Sequence, residues 1–197
     1  MSALEDRVAI VTGASRGIGR AIAVAYAEAG ADVALAARSK PDLEATAQLV
    51  QQHGRRALVI PTDVAVFAEV EALVERTVKG LGRLDVLVNN AGIQKAQPIT
   101  EMTLDDWERM MAVHLRGAFL CSREERLKCF GSKIRMNRDS VRLKKAKRRI
   151  HIASVGVVNV GALSVENHRN VRRRLPDVLD RIKESIQAVV AFSFVEG

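Results

Sequence analysis

The chain has 197 residues, of which 48% are hydrophobic and 27% charged, and its mean hydropathy is zero. These values exclude an intrinsically disordered chain, and the length suffices for one domain with a sizeable core. The first ten residues carry two acids and no apolar run, and no apolar stretch reaches membrane-spanning length, so we expect neither a signal peptide nor a transmembrane helix. Cys121 and Cys129 have no metal-binding or redox spacing, which predicts no metal site and favours a reduced, cytoplasmic environment.

The net charge of +8 is unevenly distributed along the chain. Residues 1–120 contain 13 Lys and Arg against 15 Asp and Glu, whereas residues 121–197 contain 18 against 8. Such an asymmetry can mark a contact with nucleic acid or with a membrane surface. The excess of positive charge lies wholly in the second part of the chain.

The chain opens with a strand, a glycine-rich turn and a helix. Residues 8–11 form a short apolar, β-branched run, which predicts a strand buried on both faces of a sheet. From Ile18 to Tyr26 apolar side chains recur at helical spacing, so a helix is predicted to begin near Gly17. Residues 7–26 therefore predict a strand–turn–helix unit, around which the rest of the chain is organised.

Three glycines separate this strand from this helix, in the pattern T-G-x-x-x-G-x-G. Gly13 allows a tight turn, Gly17 lets the backbone approach a pyrophosphate, and Gly19 lets the helix lie close to the strand. The N-terminus of the helix adds free N–H groups and the positive end of the helix dipole. An ordinary glycine-rich turn has the same composition, but the context favours a phosphate-binding loop.

Strands and helices alternate through the first 120 residues, which predicts an α/β fold with a doubly wound parallel sheet of the Rossmann type. On the last of these helices, Trp107, Met110, Met111 and Leu115 are predicted to face the core or a dimer partner. Further strands are predicted at residues 33–37, 57–60 and 84–88, helices at 41–53, 67–78 and 104–119, and a loop at 94–100.

Two motifs at this separation are similar to those of the short-chain dehydrogenase/reductase family. T-G-A-S-R-G-I-G at residues 12–19 resembles the cofactor loop of its ketoacyl-reductase-like members, and L-V-N-N-A-G at 87–92 resembles the N-N-A-G after the family's fourth strand. The resemblance covers about residues 5–123 and, weakly, 148–156. It implies a nicotinamide dinucleotide cofactor and hydride transfer between carbonyl and alcohol, on a ketoacyl-type or small carbonyl substrate.

Cofactor preference in this fold depends on the residue that closes the second strand, where an acid binds the adenosine ribose of NAD. This chain has no acid there and reads A-A-R-S at residues 36–39. Arg38, together with Arg16 in the glycine-rich loop, can neutralise a ribose 2′-phosphate. We therefore predict NADP(H) rather than NAD(H).

The resemblance also implies cofactor contacts from the ends of the later strands. The Asp-Val after the third strand, here Asp63 and Val64, contacts the adenine in the family, and Asp63 can also cap the following helix. The asparagines and small residues at 89–92 offer donors, acceptors and space to the cofactor. The predicted cofactor-binding residues are Gly13, Ser15, Arg16, Gly17, Ile18, Gly19, Arg38, Asp63, Val64, Asn89, Ala91 and Gly92.

The family's catalytic residues are usually Asn, Ser, Tyr and Lys, and the Tyr, in a Y-x-x-x-K motif, gives a proton to the carbonyl oxygen. Residues 111–117 match the segment that carries the family's catalytic Asn, but this chain has His114 at the position of the Asn. His114 either makes a water or backbone contact or simply packs. Ser154, after a predicted fifth strand, matches the catalytic Ser. The Y-x-x-x-K motif is absent, since the one tyrosine is Tyr26 and residues 167–171 read N-H-R-N-V, where His168 is a conceivable substitute acid. The candidate catalytic residues are Ser154 and His114.

The second part of the chain departs from the family, so the sheet is predicted to be incomplete or altered after the fourth or fifth strand. Residues 133–149 contain nine Lys and Arg and one acid, which fits a solvated linker, a phosphate or nucleic-acid contact, or a non-native reading frame after about Arg123. A strand at 150–154, a helix at 176–187 and a strand at 188–195 are predicted beyond it. The predicted domains are a dinucleotide-binding domain at 1–123, a basic linker or insertion at 124–148, and an atypical strand–helix–strand unit at 149–197.

We therefore expect an NADP(H)-binding oxidoreductase domain whose turnover is impaired by the missing Tyr and Lys. Its expected partners are the dinucleotide and, if it is active, a small carbonyl substrate, with no membrane; a homo-oligomer is left open. The alternatives are a catalytically inactive nucleotide-binding partner or regulator, a nucleic-acid-binding protein that uses residues 133–149, and an enzyme with rearranged acid–base groups at His114, Ser154 or His168.

Overall fold

The structure, a computed structural model, describes residues 3–131 and 151–153. The strands in these ranges form one parallel sheet in the order β3-β2-β1-β4-β5, which confirms the predicted α/β fold with a doubly wound parallel sheet. The strands are β1 (Val8–Thr12), β2 (Asp32–Ala37), β3 (Ala57–Pro61), β4 (Val86–Val88) and β5 (His151–Ala153).

A helix follows each of the first four strands, as the alternation predicts. A π-helical turn at Ala112–Arg116 joins the fourth helix to the fifth, and the predicted loop at 94–100 ends in a 3-10 turn at Ile99–Glu101. The helices are α1 (Gly17–Glu28), α2 (Lys40–Gln52), α3 (Phe67–Leu81), α4 (Leu104–Met111) and α5 (Gly117–Gly131).

The sheet lies between two apolar layers, and β1 contributes to both. All five of its residues are buried. Ala9 and Val11 belong to the layer shared with α1 and α2, whereas Val8 and Ile10 belong to the layer shared with α3 and α5. Because successive side chains of a strand point to opposite faces, a strand covered on both sides must be apolar throughout. This explains the uninterrupted apolar run in the sequence.

Charged side chains hold the amino ends of the strands. Asp32, at the start of β2, accepts hydrogen bonds of 2.8 Å from the backbone N–H and the Nε of Arg56, and its carboxylate lies 3.3 Å from Arg55 Nε. Burial acts to raise the pKa of Asp32, but these hydrogen bonds and charges outweigh it and hold the pKa below the ordinary value. Asp85, before β4, accepts a 3.0 Å bond from the N–H of Val8. These contacts tie β2 to the start of β3, and β1 to the start of β4, at the edge opposite the loops described below.

The helix predicted at 104–119 differs from the observed structure. It is interrupted by the π-helical turn and continues as α5 well past its predicted end. Trp107 and Leu115 are 49% and 64% exposed, so the prediction of a core position is wrong for both, because α5 rather than α4 packs against α3 and β4. Met110 and Met111 are half-buried. The alternative for this segment, a dimer-facing surface, stays a prediction.

Several sequence predictions fall outside the described residues: the basic stretch 133–149, Ser154, His168, and the helix and strand at 176–195. Of the second part of the chain, the backbone of β5 lies parallel to β4, with His151 opposite Val86. Within 3–131 and 151–153, no helix combines the length and the apolar character needed to cross a bilayer.

Candidate functional site

A cleft of about 550 Å³ lies at the carboxyl edge of the sheet, where the loops after β1, β2, β3 and β4 meet. In the sheet, β2 lies on one side of β1 and β4 lies on the other, so the strand order reverses at this point. Open parallel sheets bind ligands at such a switch point. Among the described residues, the cleft is lined by eleven of the twelve predicted cofactor-binding residues, Asn89 being the exception.

The glycine-rich loop has a shape that only its glycines allow. Gly13 has φ +68°, and a Cβ there would lie 2.8 Å from Asn90 Nδ2 and 2.9 Å from Ala91 Cα. A Cβ on Gly19 would overlap the carbonyl group of Gly13, so the glycine lets α1 lie against the end of β1. Gly17 has φ +57° and nothing within 4 Å of its Cβ position. The loop is therefore close-packed behind and open at Gly17, where it lines the cleft.

Thr12 joins this loop to the segment after β4. Its buried hydroxyl donates to the carbonyl of Val88 at 3.0 Å and accepts from the backbone N–H groups of Asn90 (2.9 Å) and Ala91 (3.0 Å). The Asn90 side-chain amide donates in turn to the carbonyls of Thr12 (2.9 Å) and Gly13 (3.3 Å). These bonds fix the two cleft-lining loops relative to each other.

Asn89 lies outside the cleft lining. Its Nδ2 donates to the Oγ of Ser122 on α5 at 3.1 Å, and the neighbouring Asn90 lines the cleft. Successive residues of an extended segment point to opposite sides. Of two tandem asparagines only one can therefore face the cleft, and the sequence prediction named the one that contacts α5.

Two arginines line the cleft. Arg16, the N-cap residue of α1, and Arg38, just after β2, are exposed and line the cleft. Within the described residues neither guanidinium group has a hydrogen bond or ion pair, so both can meet an external anion. Ala37 closes β2 without an acid, although Asp42 in the first turn of α2 also lines the cleft.

Asp63 lines the cleft and also shapes the chain that leads to α3. Its Oδ1 accepts a 2.9 Å bond from the N–H of Ala65, and its own N–H donates to Glu69 Oε2 at 2.7 Å. Asp63 makes this Asx turn rather than the expected helix cap, because α3 begins only at Phe67. Val64, buried next to it, also lines the cleft.

His114 lies on the π-helical turn and contacts the loop after β4. Its Nε2 is 2.7 Å from the carbonyl oxygen of Ile93 and 3.2 Å from the Ile93 nitrogen, so the tautomer decides whether it donates to the first or accepts from the second. A Cβ on Gly92 would lie 2.8 Å from His114 Cε1. Of the alternatives for this residue, the structure shows a backbone contact together with packing of the ring on Gly92.

Tyr26 has neither the position nor the acidity of a proton donor for a substrate. It is 7% exposed in the core layer beneath α1, and burial raises its pKa above the ordinary value. A catalytic phenol needs access to the cleft and a lowered pKa. Tyr26 therefore does not occupy the role of the family's catalytic tyrosine.

Eight further residues line the cleft that the predicted cofactor-binding set does not include. Most of them end β2, lie just beyond it, or follow β3 and β4, where the carboxyl-edge rule for parallel sheets would have found them. They are Ala36, Ala37, Ser39, Asp42, Thr62, Asn90, Ile93 and Val113.

A parallel sheet with a glycine-rich turn after its first strand, facing a cleft at the switch point, defines the Rossmann-type class of dinucleotide-binding domains. The family model described as short chain dehydrogenase matches residues 7–129. The chain belongs to this family, whose members are oxidoreductases that bind a nicotinamide dinucleotide.

Individual relatives match the same part of the chain. The short-chain dehydrogenase/reductase eriH of Hericium erinaceus is 45% identical over 120 residues, which cover 58% of this chain and 47% of that protein. A 3-oxoacyl-[acyl-carrier-protein] reductase of Synechocystis is 40% identical over 124 residues, covering 62% and 50%. The crystal structure of a short-chain type dehydrogenase/reductase from Mycobacterium marinum is 37% identical with a TM-score of 0.61, covering 64% and 53%. The chain thus spans about half the length of the curated relatives it matches.

Proposed function

We propose that this chain binds NADP(H) in the cleft at the carboxyl edge of its sheet. The observation that carries the proposal is the presence in one cleft of an open glycine-rich loop and two exposed arginines, Arg16 and Arg38, which have no partner among residues 3–131 and 151–153. Guanidinium groups bind phosphate through a planar fork of donors, and no acid closes β2 to repel a ribose 2′-phosphate. The loop supplies the pyrophosphate site and the arginines favour the phosphorylated ribose.

We further propose that hydride transfer between this cofactor and a carbonyl substrate is weak or absent in this chain. The sequence has no Y-x-x-x-K, and its one tyrosine is buried in the core. A positioned general acid contributes roughly 10²–10⁴-fold to such a step. A ketoacyl-type or small carbonyl compound is the substrate class that the relatives suggest, one of them being a 3-oxoacyl-[acyl-carrier-protein] reductase.

A nucleotide-binding subunit that acts through a partner is the second candidate. Large apolar side chains are exposed along α4, the π-helical turn and α5, which is a feature of surfaces that bind other proteins. Among the described side chains of this segment, the large apolar ones that are exposed are Leu104, Trp107, Leu115 and Phe119, with exposed fractions between 49% and 69%.

Titration of the purified chain with NADPH and, in parallel, with NADH tests the proposal through nicotinamide fluorescence. We expect micromolar binding of NADPH, weaker binding of NADH, and no oxidation of NADPH when a panel of carbonyl compounds is added. Turnover would show that another residue donates the proton, and His114 would be the first to be substituted. A folded chain that binds neither dinucleotide would refute the proposed function.

A further inference from the structure

Two side chains that do not line the cleft lie behind the glycine-rich loop. Arg20 on α1 donates from Nη2 to the carbonyl of Ser15 at 2.5 Å and from Nε to the hydroxyl of Thr46 at 3.0 Å. Thr46, on α2, is fully buried, and its hydroxyl oxygen lies 3.0 Å from the carbonyl oxygens of both Ala14 and Asp42, so these two carbonyls share its one proton. The loop is therefore attached to both flanking helices through two of its carbonyl groups.

These two carbonyl groups depend on the side chains for their hydrogen bonds. The backbone hydrogen bonds in the described part of the chain use neither the carbonyl of Ala14 nor that of Ser15. Buried carbonyl groups need a hydrogen-bond donor. The free N–H groups of the first turn of a helix point along the helix axis, so they do not donate to these carbonyls. Thr46 and Arg20 meet this need. The half-buried guanidinium group of Arg20 donates to the Ser15 carbonyl and to the Thr46 hydroxyl and is not available to a phosphate, which separates it from Arg16 and Arg38.

The orientation of the carbonyls also sets the orientation of the N–H groups. In a planar trans peptide the C=O and the following N–H point in opposite directions. Holding the carbonyls of Ala14 and Ser15 against Thr46 and Arg20 therefore turns the N–H groups of Ser15 and Arg16 away from the two side chains, toward the cleft that both residues line. No hydrogen bond found among the described residues uses either N–H group. Adjacent free N–H groups ahead of a helix N-terminus bind anions.

We propose that Arg20 and Thr46 are positioning residues, which hold the glycine-rich loop so that its N–H groups meet the pyrophosphate of the dinucleotide. The inference rests on the proposed function, because it concerns the same cleft. Arg20 and Thr46 act through the backbone of residues 14–16, without touching the cofactor themselves.

The test compares a whole dinucleotide with a fragment that lacks the pyrophosphate, using the full chain. We expect Arg20→Met and Thr46→Val to weaken NADPH binding about 10- to 100-fold, since each removes hydrogen bonds to a loop carbonyl. Thr46→Ser retains the hydroxyl and should bind within about twofold of the original chain. Adenosine 2′-monophosphate should lose much less affinity than NADPH in these variants, because it meets the side chain of Arg16 but does not reach the loop N–H groups.

The control is Arg76→Met, which removes an exposed arginine from α3 and should leave both affinities unchanged. Circular dichroism establishes whether each variant is folded. If Arg20→Met does not fold, the comparison of Thr46→Val with Thr46→Ser tests the proposal, and Arg20→Lys is a milder substitution of the arginine. Unchanged NADPH binding in Thr46→Val, or an equal loss for NADPH and adenosine 2′-monophosphate, would overturn the positioning role. Failure of the original chain to bind either dinucleotide would instead overturn the proposed function.

Discussion

Three arginines lie in the glycine-rich loop or near it, and their different environments indicate different roles. Arg20 is half-buried and bonded to the loop, whereas Arg16 and Arg38 are exposed and line the cleft. A guanidinium group that is hydrogen-bonded inside the protein stabilises the local backbone, whereas one that is exposed to water can bind a ligand. Similar residues at neighbouring positions thus have different consequences when they are changed.

Arg16→Gln and Arg38→Gln should each lower the affinity for NADPH and leave that for NADH almost unchanged. The reason is that NADH lacks the 2′-phosphate with which the guanidinium groups would pair. A charged hydrogen bond contributes about 1.5–3 kcal/mol, so we expect a loss on the order of 10- to 100-fold for NADPH in each variant. Fluorescence titration with both dinucleotides measures the change.

Arg76→Gln on α3 serves as the control for the loss of one positive charge. If both dinucleotides lose affinity equally in Arg16→Gln and Arg38→Gln, the arginines do not read the 2′-phosphate, and the preference for NADP(H) is incorrect.

Elements are positioned by close approaches as much as by apolar burial. Gly117, the first residue of α5, lies so near the loop before α3 that a Cβ there would be 2.8 Å from Val64 Cγ2 and 3.2 Å from the Val64 carbonyl oxygen. Carbon atoms in contact lie about 3.5–4.0 Å apart, so the glycine permits this packing. The beginning of α5 thereby supports a residue that lines the cleft.

Gly117→Val should destabilise the fold by about 1–3 kcal/mol, because overpacking at this contact forces α5 or Val64 to move. Urea unfolding followed by circular dichroism measures the free energy. The double variant Gly117→Val with Val64→Ala should recover part of the loss, since it removes the methyl groups that clash. Equal losses with and without Val64→Ala would show that the strain arises elsewhere.

The ion pairs at the amino edge predict a pH dependence of stability. The pKa of Asp32 is lower in the folded chain than the ordinary value of 3.8, so its contribution to stability is fully present above that value and is lost as the pH falls through the folded pKa. Asp32→Asn should therefore cost about 1–3 kcal/mol at pH 7, and the difference from the original chain should shrink below about pH 4.

Urea unfolding at pH 7 and at successively lower pH follows this difference. Asp105→Asn, on the exposed surface of α4, is the matched control and should show no such effect. A difference that persists unchanged into acid would mean that Asp32 acts through packing rather than through its charge.

The sequence predicts those elements whose own residues decide them. Strand β1 was predictable because burial on both faces demands an apolar run, and the glycine-rich loop because its close approaches exclude a Cβ. The π-helical turn was not predictable, since helical periodicity continues through it and only tertiary contacts such as His114 with Ile93 mark it. The contact of Thr46 with the glycine-rich loop was not predictable for the same reason, because a threonine within a helical pattern does not indicate a hydrogen-bond partner 32 residues away.

At the scale of the whole molecule, the described part of the chain contains the cleft that we propose for the dinucleotide, and the full sequence has no Y-x-x-x-K. The family match ends at residue 129, within α5, and the strongly basic stretch begins just beyond it. The proposed cofactor binding can therefore be tested separately from turnover, because a measurement of stability reports binding alone.

NADPH should raise the melting temperature of the full chain even where no turnover is found. A ligand that binds only the folded state at 100 times its Kd adds about 2.7 kcal/mol, which corresponds to roughly 5–10 °C for a chain of this size. Differential scanning calorimetry with NADPH, and with Arg16→Gln as the control, measures the shift. A folded chain that melts at the same temperature with and without NADPH would contradict cofactor binding.

The charged side chains at the two edges of the sheet differ in whether they have partners inside the protein, and this difference affects which substitutions each edge can accept. At the amino edge Asp32 and Asp85 are occupied by internal partners, whereas at the carboxyl edge Arg16 and Arg38 have none among the described residues. The strands between them span about 15–20 Å, a separation at which the effects of substitutions add independently. The proposed cofactor preference can therefore be redesigned at the carboxyl edge while the contacts of the amino edge keep the domain folded.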